Sequence, residues 1–207
     1  MRDYSRLDRF LDKLGADIYP EEGLEFPKRI TREGIDKAIQ RGMLSPGMKV
    51  LDVGCGKGIA LTEFKARGID AVGITLGSDV DACRSMGFDV HEMDQNFTSF
   101  PDASFDFLWC RHVLEHSVVP LFTLNEYYRL LKPGQFAYVE LPAPDTPAHH
   151  EENPNHYSVF SSSSWVSHFQ RTGFTMVDGF ALRVILPDIG DDQYYCYFLR
   201  RDDKPFA

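Results

Sequence analysis

Apolar runs, paired cysteines and positive charge are all scarce in this sequence. No stretch approaches the roughly 20 apolar residues of a membrane span. The N-terminal stretch MRDYSRLDRFLDKLG carries charges throughout and no apolar leader core. Cys55, Cys83, Cys110 and Cys196 stand apart with no CxxC pair. That argues against a disulfide framework or a zinc knuckle and suits a reducing compartment. We therefore expect a cytoplasmic protein with no membrane contact. Lys and Arg number 22 against 31 Asp and Glu, a formal charge of −9. A grip on phosphate backbones takes clustered cations, so no nucleic-acid partner is expected.

What is present fits a packed protein. Of 207 residues 43% are apolar and 26% charged, with 16 Phe and 9 Tyr. That length suffices for one domain with a sizeable core plus short additions. No internal repeat is visible. The one low-complexity patch, Ser161 to Ser164, reads as a helix start, because hydroxyls cap free N–H groups before Trp165, Val166 and Phe169.

The order of elements alternates. Helices are expected over about 4–14 and 31–41, with a Pro/Gly-rich loop between them up to about Ile30. A buried strand over 50–53 runs into a Gly-rich turn and a helix over about 59–66. A strand over 71–74, a helix over about 80–85 and strands near 88–91 and 105–109 follow. Pro120 opens a helix that ends at Lys132-Pro133-Gly134, and a strand covers 136–141. The tail gives a helix near 165–172 and strands near 174–180 and 194–199. Such alternation specifies a doubly wound, mostly parallel α/β sheet, here of seven strands, with helices on both faces. We place residues 1–45 as an N-terminal helical extension on the substrate side and 46–207 as the sheet domain. In such sheets ligands bind beyond the carboxyl ends of the strands.

The strongest local signal is Val50-Leu51-Asp52-Val53-Gly54-Cys55-Gly56-Lys57-Gly58. Glycines after a buried strand permit positive φ and let a ligand touch the backbone. The helix they open offers free N–H groups and positive partial charge. A P-loop would need Lys then Ser or Thr after its last glycine, and a GxGxxG fingerprint would need glycine where Ile59 stands. What remains is GxGxG preceded by an acid, Asp52.

That stretch resembles motif I of class I S-adenosylmethionine-dependent methyltransferases, and later segments match the family in order and spacing. These are Asp94-Gln95, Phe100-Pro101-Asp102-Ala103-Ser104-Phe105-Asp106, Trp109-Cys110-Arg111-His112-Val113-Leu114-Glu115-His116 and Leu130-Leu131-Lys132-Pro133-Gly134. Together they look like the small-molecule branch often called type 11, with the resemblance good over about 48–142. It implies a Rossmann-like fold and S-adenosylmethionine as cofactor. Gly54, Gly56 and Gly58, with Cys55 in the same loop, would meet the cofactor's amino-acid and ribose parts. Asp52 would orient the loop or reach the methionine ammonium through water. Asp94 would accept from the adenine amine, the Gln95 backbone N–H would donate to the ring, and Cys110 and Arg111 would offer backbone groups near the methionine moiety. One position departs from the pattern. The family usually has an acid at the end of the second strand for the ribose hydroxyls, and this chain has Thr75. Either Asp79 reaches round or the grip is weaker; a Gly-Ile-Thr-Leu run also resembles cyclopropane-synthase-type members, which use Thr here.

Methyl transfer from a sulfonium mainly needs alignment, and a base helps where an oxygen or nitrogen acceptor has a proton to lose. His116 and His156 are the candidate catalytic bases, with His112 behind them. Each also has an ordinary reading as a loop-ordering or helix-capping residue. Glu140, at a strand's carboxyl end, is a candidate for touching substrate. His149-His150-Glu151-Glu152 with His156 lacks helical i, i+4 spacing, so it reads as a substrate lid and no metal is expected. The chain lacks the Asn/Asp-Pro-Pro-Tyr and Pro-Cys motifs of DNA methyltransferases. The expected function is methyl transfer to a small-molecule acceptor at oxygen. The alternatives are a non-catalytic S-adenosylmethionine- or nucleotide-binding module and a protein methyltransferase.

Overall fold

The computed structural model describes residues 3–14, 25–186 and 188–203. Most of the Pro/Gly-rich loop expected before Ile30 lies outside them. Seven strands form one sheet: β1 (Lys49–Val53), β2 (Asp70–Thr75), β3 (Asp89–Glu92), β4 (Phe105–Arg111), β5 (Leu131–Pro142), β6 (Phe174–Leu186) and β7 (Gly190–Arg201). Their spatial order is β3-β2-β1-β4-β5-β7-β6. The first five run parallel, with Leu51 opposite Val72 on one side and Leu108 on the other. β7 joins β5 antiparallel, and β6 pairs antiparallel with β7 as a long hairpin. This is the expected mostly parallel, doubly wound architecture.

Six α-helices among the described residues complete it: α1 (Ser5–Leu14), α2 (Glu25–Gln40), α3 (Ile59–Ala66), α4 (Ser78–Ser85), α5 (Pro120–Leu130) and α6 (Ser162–Arg171). Alternate residues of β4 serve opposite faces, as the pleat requires. Leu108 and Cys110 pack with Leu124 and Tyr127 of α5 and with Trp165 and Phe169 of α6. Phe107 and Trp109 pack with Ile35 and Ala38 of α2 and Phe64 of α3. The Trp109 ring stacks on Tyr138 at 4.2 Å between centroids. A Cβ at Gly34 of α2 would stand 2.8 Å from the Trp109 ring, so only glycine lets α2 lie this close. Burial on both faces explains why β1 and β4 read as nearly continuous apolar runs.

Several local readings hold. Ser161 caps α6, its hydroxyl accepting from the Ser164 N–H, and Pro120 stands in the first turn of α5. Others are revised. α2 begins at Glu25 because Pro27 falls in its first turn, where no intrahelical N–H bond is lost. β5 begins at Leu131 rather than Phe136, with Leu131 opposite Phe105 ahead of a register shift. β6 and β7 extend well past 180 and begin well before 194, respectively.

Candidate active site

The carboxyl ends of β1, β2 and β4 open onto a cavity of about 270 Å³. The loop after β1 forms part of its wall. Gly54 and Gly56 have φ of +65° and +47°. A Cβ on Gly54 would meet Val113 at 2.3 Å, whereas one on Gly56 would meet only Asp79, at 3.9 Å. Gly54 thus lets the loop pass beneath Val113, and Gly56 leaves an open cradle facing Asp79. The loop is pinned by the Cys55 N–H donating to Ile74 O (2.9 Å) and the Cys83 thiol donating to Gly56 O (3.1 Å). Gly58 turns away from the cavity, its open side filled by Cys83 and Phe88. Cys55 likewise packs inward with Leu61 and Val80.

Asp52 is buried at 3% exposure, and its Oδ2 finds no hydrogen-bond partner among the described residues. Burial pushes its carboxyl well above the usual range, against a smaller opposing pull from Arg111. Thr75 and Asp79 both line the cavity beyond β2, and Asp94, Gln95 and Asn96 line it beyond β3. Asp94 Oδ1 accepts from the Asn96 backbone (2.7 Å) and side chain (2.8 Å), which fixes the turn. Gln95 donates to Val113 O and accepts from the Tyr127 hydroxyl, so its side chain is occupied on both sides. An open cradle over Gly56 and an acceptor carboxylate at Asp94 fit an amino-acid-bearing nucleoside such as S-adenosylmethionine, while the buried Asp52 carboxyl does not itself line the cavity.

Beyond β4 lies a buried charge cluster. Arg111 and His112 line the cavity. Arg111 Nε stands 2.8 Å, and His112 Nε2 3.0 Å, from Oε1 of the fully buried Glu140. The Tyr138 hydroxyl donates to Glu140 Oε2 at 2.6 Å. Burial alone would raise the Glu140 pKa, but Arg111, His112 and Tyr138 overcome it and hold the group at about 2. For His112 burial and Arg111 push down, yet Glu115 and Glu140 outweigh them and lift it to about 9. Glu140 is thus the anchor of this cluster and does not line the cavity. Cys110 is sealed beneath it, its sulfur 3.4 Å from the Tyr127 hydroxyl, and burial pushes its thiol up to about 12.

His116 and His156 come together although they belong to different segments. The 3₁₀ turn Leu114–His116 is tied to the loop after β5 by Ser158 N–H to Glu115 O (2.9 Å) and Ser158 Oγ to Ser117 O (2.6 Å). His116 Nδ1 donates to Asn155 O (2.8 Å) and His156 Nδ1 to His150 O (3.0 Å), and the rings meet edge to face at 4.9 Å. Burial holds His156 below the ordinary imidazole value. His116, Asn155 and Tyr157 line the same cavity as the glycine loop, and so do Leu11 and Leu14 of α1. His150 is held by Asp192 at 3.1 Å, and His149 is exposed. Reading the sequence missed Glu115, which is buried with an oxygen within 4.8 Å of a nitrogen of each imidazole, and the hydrogen-bond network of Asn96, Ser117 and Thr123 that braces this turn.

Comparison with known proteins adds a family to this geometry. The chain is 34% identical over 96 residues to a ubiquinone biosynthesis O-methyltransferase of Methylococcus capsulatus, covering 42% of this chain and 40% of the relative. It is 34% identical over 127 residues to cycloartenol-C-24-methyltransferase 1 of Oryza sativa subsp. japonica, covering 56% of this chain and 36% of the relative. The chain therefore spans well under half the length of these curated relatives. A SAM-dependent methyltransferase from Archaeoglobus fulgidus shares the fold with a TM-score of 0.67 at 18% identity, over 84% of this chain and 94% of that one. The [4+2]-cyclase SpnF does so with a TM-score of 0.67 at 20% identity, over 99% and 94%. No helix among the described residues is long and apolar enough to cross a membrane. The methyltransferase-domain family matches residues 23–178, most of the chain, and the chain belongs to it as a class I S-adenosylmethionine-dependent methyltransferase by fold and family.

Proposed function

We propose that this chain transfers a methyl group from S-adenosylmethionine to an oxygen of a small-molecule acceptor. The observation that carries the reading is one cavity walled by Gly54, Gly56, Thr75, Asp94 and Gln95 and also by His116, Tyr157 and Leu11. The first set suits the nucleoside and amino-acid ends of the cofactor, and the second lies where an acceptor would face the sulfonium. When bound, the cofactor supplies an electrophilic methyl on positively charged sulfur.

The chain's own residues align and deprotonate. Gly54 and Gly56 bring backbone against the ligand, Asp94 accepts from the adenine amine, and Thr75 with Asp79 faces the ribose. Asp52 and Arg111 steady the methionine end. His116, with His156 behind it, takes the acceptor's proton as the acceptor oxygen takes the methyl. α1, within the N-terminal extension of residues 1–45, closes the acceptor side with apolar residues. A formal charge of −9 fits a small acceptor better than a phosphate backbone.

Isothermal calorimetry with S-adenosylhomocysteine, followed by a labelled-methyl assay over a panel of small hydroxylated acceptors, tests this. We expect one bound equivalent and label in at least one acceptor. Failure to bind overturns the reading. Binding with no transfer favours the second reading, a cofactor-binding module, which the neutral Thr75 supports.

A further inference from the structure

Glu115 is 1% exposed, and neither of its carboxylate oxygens accepts a hydrogen bond among the described residues. His112 Nδ1 stands 3.5 Å from Oε1, close enough for an ion pair but at the long edge of hydrogen bonding. That one long ion pair leaves a buried carboxylate with neither oxygen hydrogen-bonded, a group that a further cation would satisfy. One ligand atom from each of Glu115, His116 and His156 lies within 4.8 Å of the others.

The tautomers of the two histidines are set. The Nδ1 atoms of His116 and His156 face the carbonyls of Asn155 and His150. A carbonyl only accepts, so each neutral ring carries its hydrogen on Nδ1 and its lone pair on Nε2. Imidazoles that ligate metals show this arrangement, the second nitrogen donating to a carbonyl that orients the ring. His150 is itself fixed by Asp192, so the carbonyl holding His156 sits on an anchored residue.

From these contacts we infer that Glu115, His116 and His156 form a binding site for one divalent transition-metal ion. Two imidazoles and one carboxylate make the donor set of catalytic zinc, which leaves a fourth position open. Tetrahedral zinc wants its ligand atoms about 3.3 Å apart, so the three groups would draw together from their present spacing to hold the ion. His116 lines the cavity, so a bound ion would stand beside the space proposed for the acceptor. In that role, which rests on the proposed methyl transfer, a bound ion would occupy the His116 lone pair that otherwise takes the acceptor's proton, and would instead acidify the acceptor so that solvent removes the proton.

The test uses the full chain, stripped with a chelator and then titrated with Zn²⁺, and with Co²⁺ for its visible absorption. We expect one equivalent bound, a tetrahedral cobalt spectrum and a raised melting temperature. Glu115→Gln and His156→Ala should each weaken uptake at least tenfold, and circular dichroism reports whether each has folded. Absence of stoichiometric uptake, or uptake undiminished in a folded His156→Ala, overturns the site. S-adenosylhomocysteine binding without metal uptake overturns the site alone. Metal uptake without S-adenosylhomocysteine binding supports the site and overturns the methyl-transfer reading.

Discussion

Arg111 Nε lies 2.8 Å from Glu140 Oε1 in the protein interior, with His112 on the same oxygen at 3.0 Å. One carboxylate thus balances two cationic groups at the edge of the cavity. Removing one partner of a buried pair leaves the other charged and unpaired, which costs about 3–5 kcal/mol. Glu140→Gln should lose stability on that order in urea denaturation. The His112 imidazole, observed by NMR titration, should fall from about 9. A loss below 1 kcal/mol would show that water already screens the pair.

Gly54 has φ of +65°, and its missing Cβ leaves room for Val113. Gly54→Ala should cost roughly 1–2 kcal/mol in backbone strain and another 1–3 in overpacking. Adding Val113→Ala should recover part of the second cost and none of the first. A double-mutant cycle by chemical denaturation measures the difference; simple additivity would mean that the two residues do not meet.

Thr75 and Asp79 both border the cavity beyond β2. A charge-assisted bond to a hydroxyl stabilises by about 1.5–3 kcal/mol, against about 1 for a neutral one. If Asp79 holds the ribose, Asp79→Ala should weaken S-adenosylhomocysteine binding about tenfold or more, and Thr75→Asp should bind at least as well as the parent. Calorimetry on both variants decides; a large loss in Thr75→Asp alone would place the Thr75 side chain away from the diol.

His116→Ala should lower turnover by roughly 10²–10⁴-fold, mainly in kcat, with S-adenosylhomocysteine affinity nearly unchanged. The comparison needs an acceptor found in the panel assay. Near-normal turnover would mean that transfer runs on alignment alone.

Acid should loosen the turn over β3 and α5. Burial raises the Glu126 pKa, but Arg129 and Thr98 together outweigh it and hold it below the ordinary glutamate value. A carboxylate lowered in the folded state adds stability above its unfolded value and loses it as pH falls through the folded one. Glu126→Gln should therefore show a smaller drop in melting temperature between pH 7 and pH 4 than the parent chain. Equal drops would assign the acid sensitivity to other carboxylates.

Local chemistry explains what was legible in advance. Ser161, Pro120 and the glycines at 54 and 56 act through backbone geometry within a few residues, so their effects read directly from the sequence. The start of β5 did not, because Lys132-Pro133-Gly134 carries turn chemistry that pairing with β4 overrides; Lys132 Nζ reaches Asp106 at 2.6 Å across that junction. The long β6–β7 hairpin was hidden by polar residues such as Arg183 and Asp191 on its exposed surface. His116 and His156 were legible as separate residues. Their meeting depends on Ser158 and Asn155 binding the turn at Glu115 and His116, a long-range fit that no local pattern announces. Glu115 escaped notice for the same reason, since its burial is a property of the assembled loops.

All four cysteines are buried and unpaired. Burial lifts the thiols of Cys110 and Cys196 to about 12, so almost none is thiolate at neutral pH, and the thiolate is the reacting form. An alkylating reagent in water therefore waits for the protein to open. Cys83 and Cys55 sit under the glycine loop, Cys110 in the sheet between α5 and its neighbours, and Cys196 in β7. The chain carries four built-in clocks at separate depths. Their relative labelling rates rank which part of the molecule opens first, without any added probe.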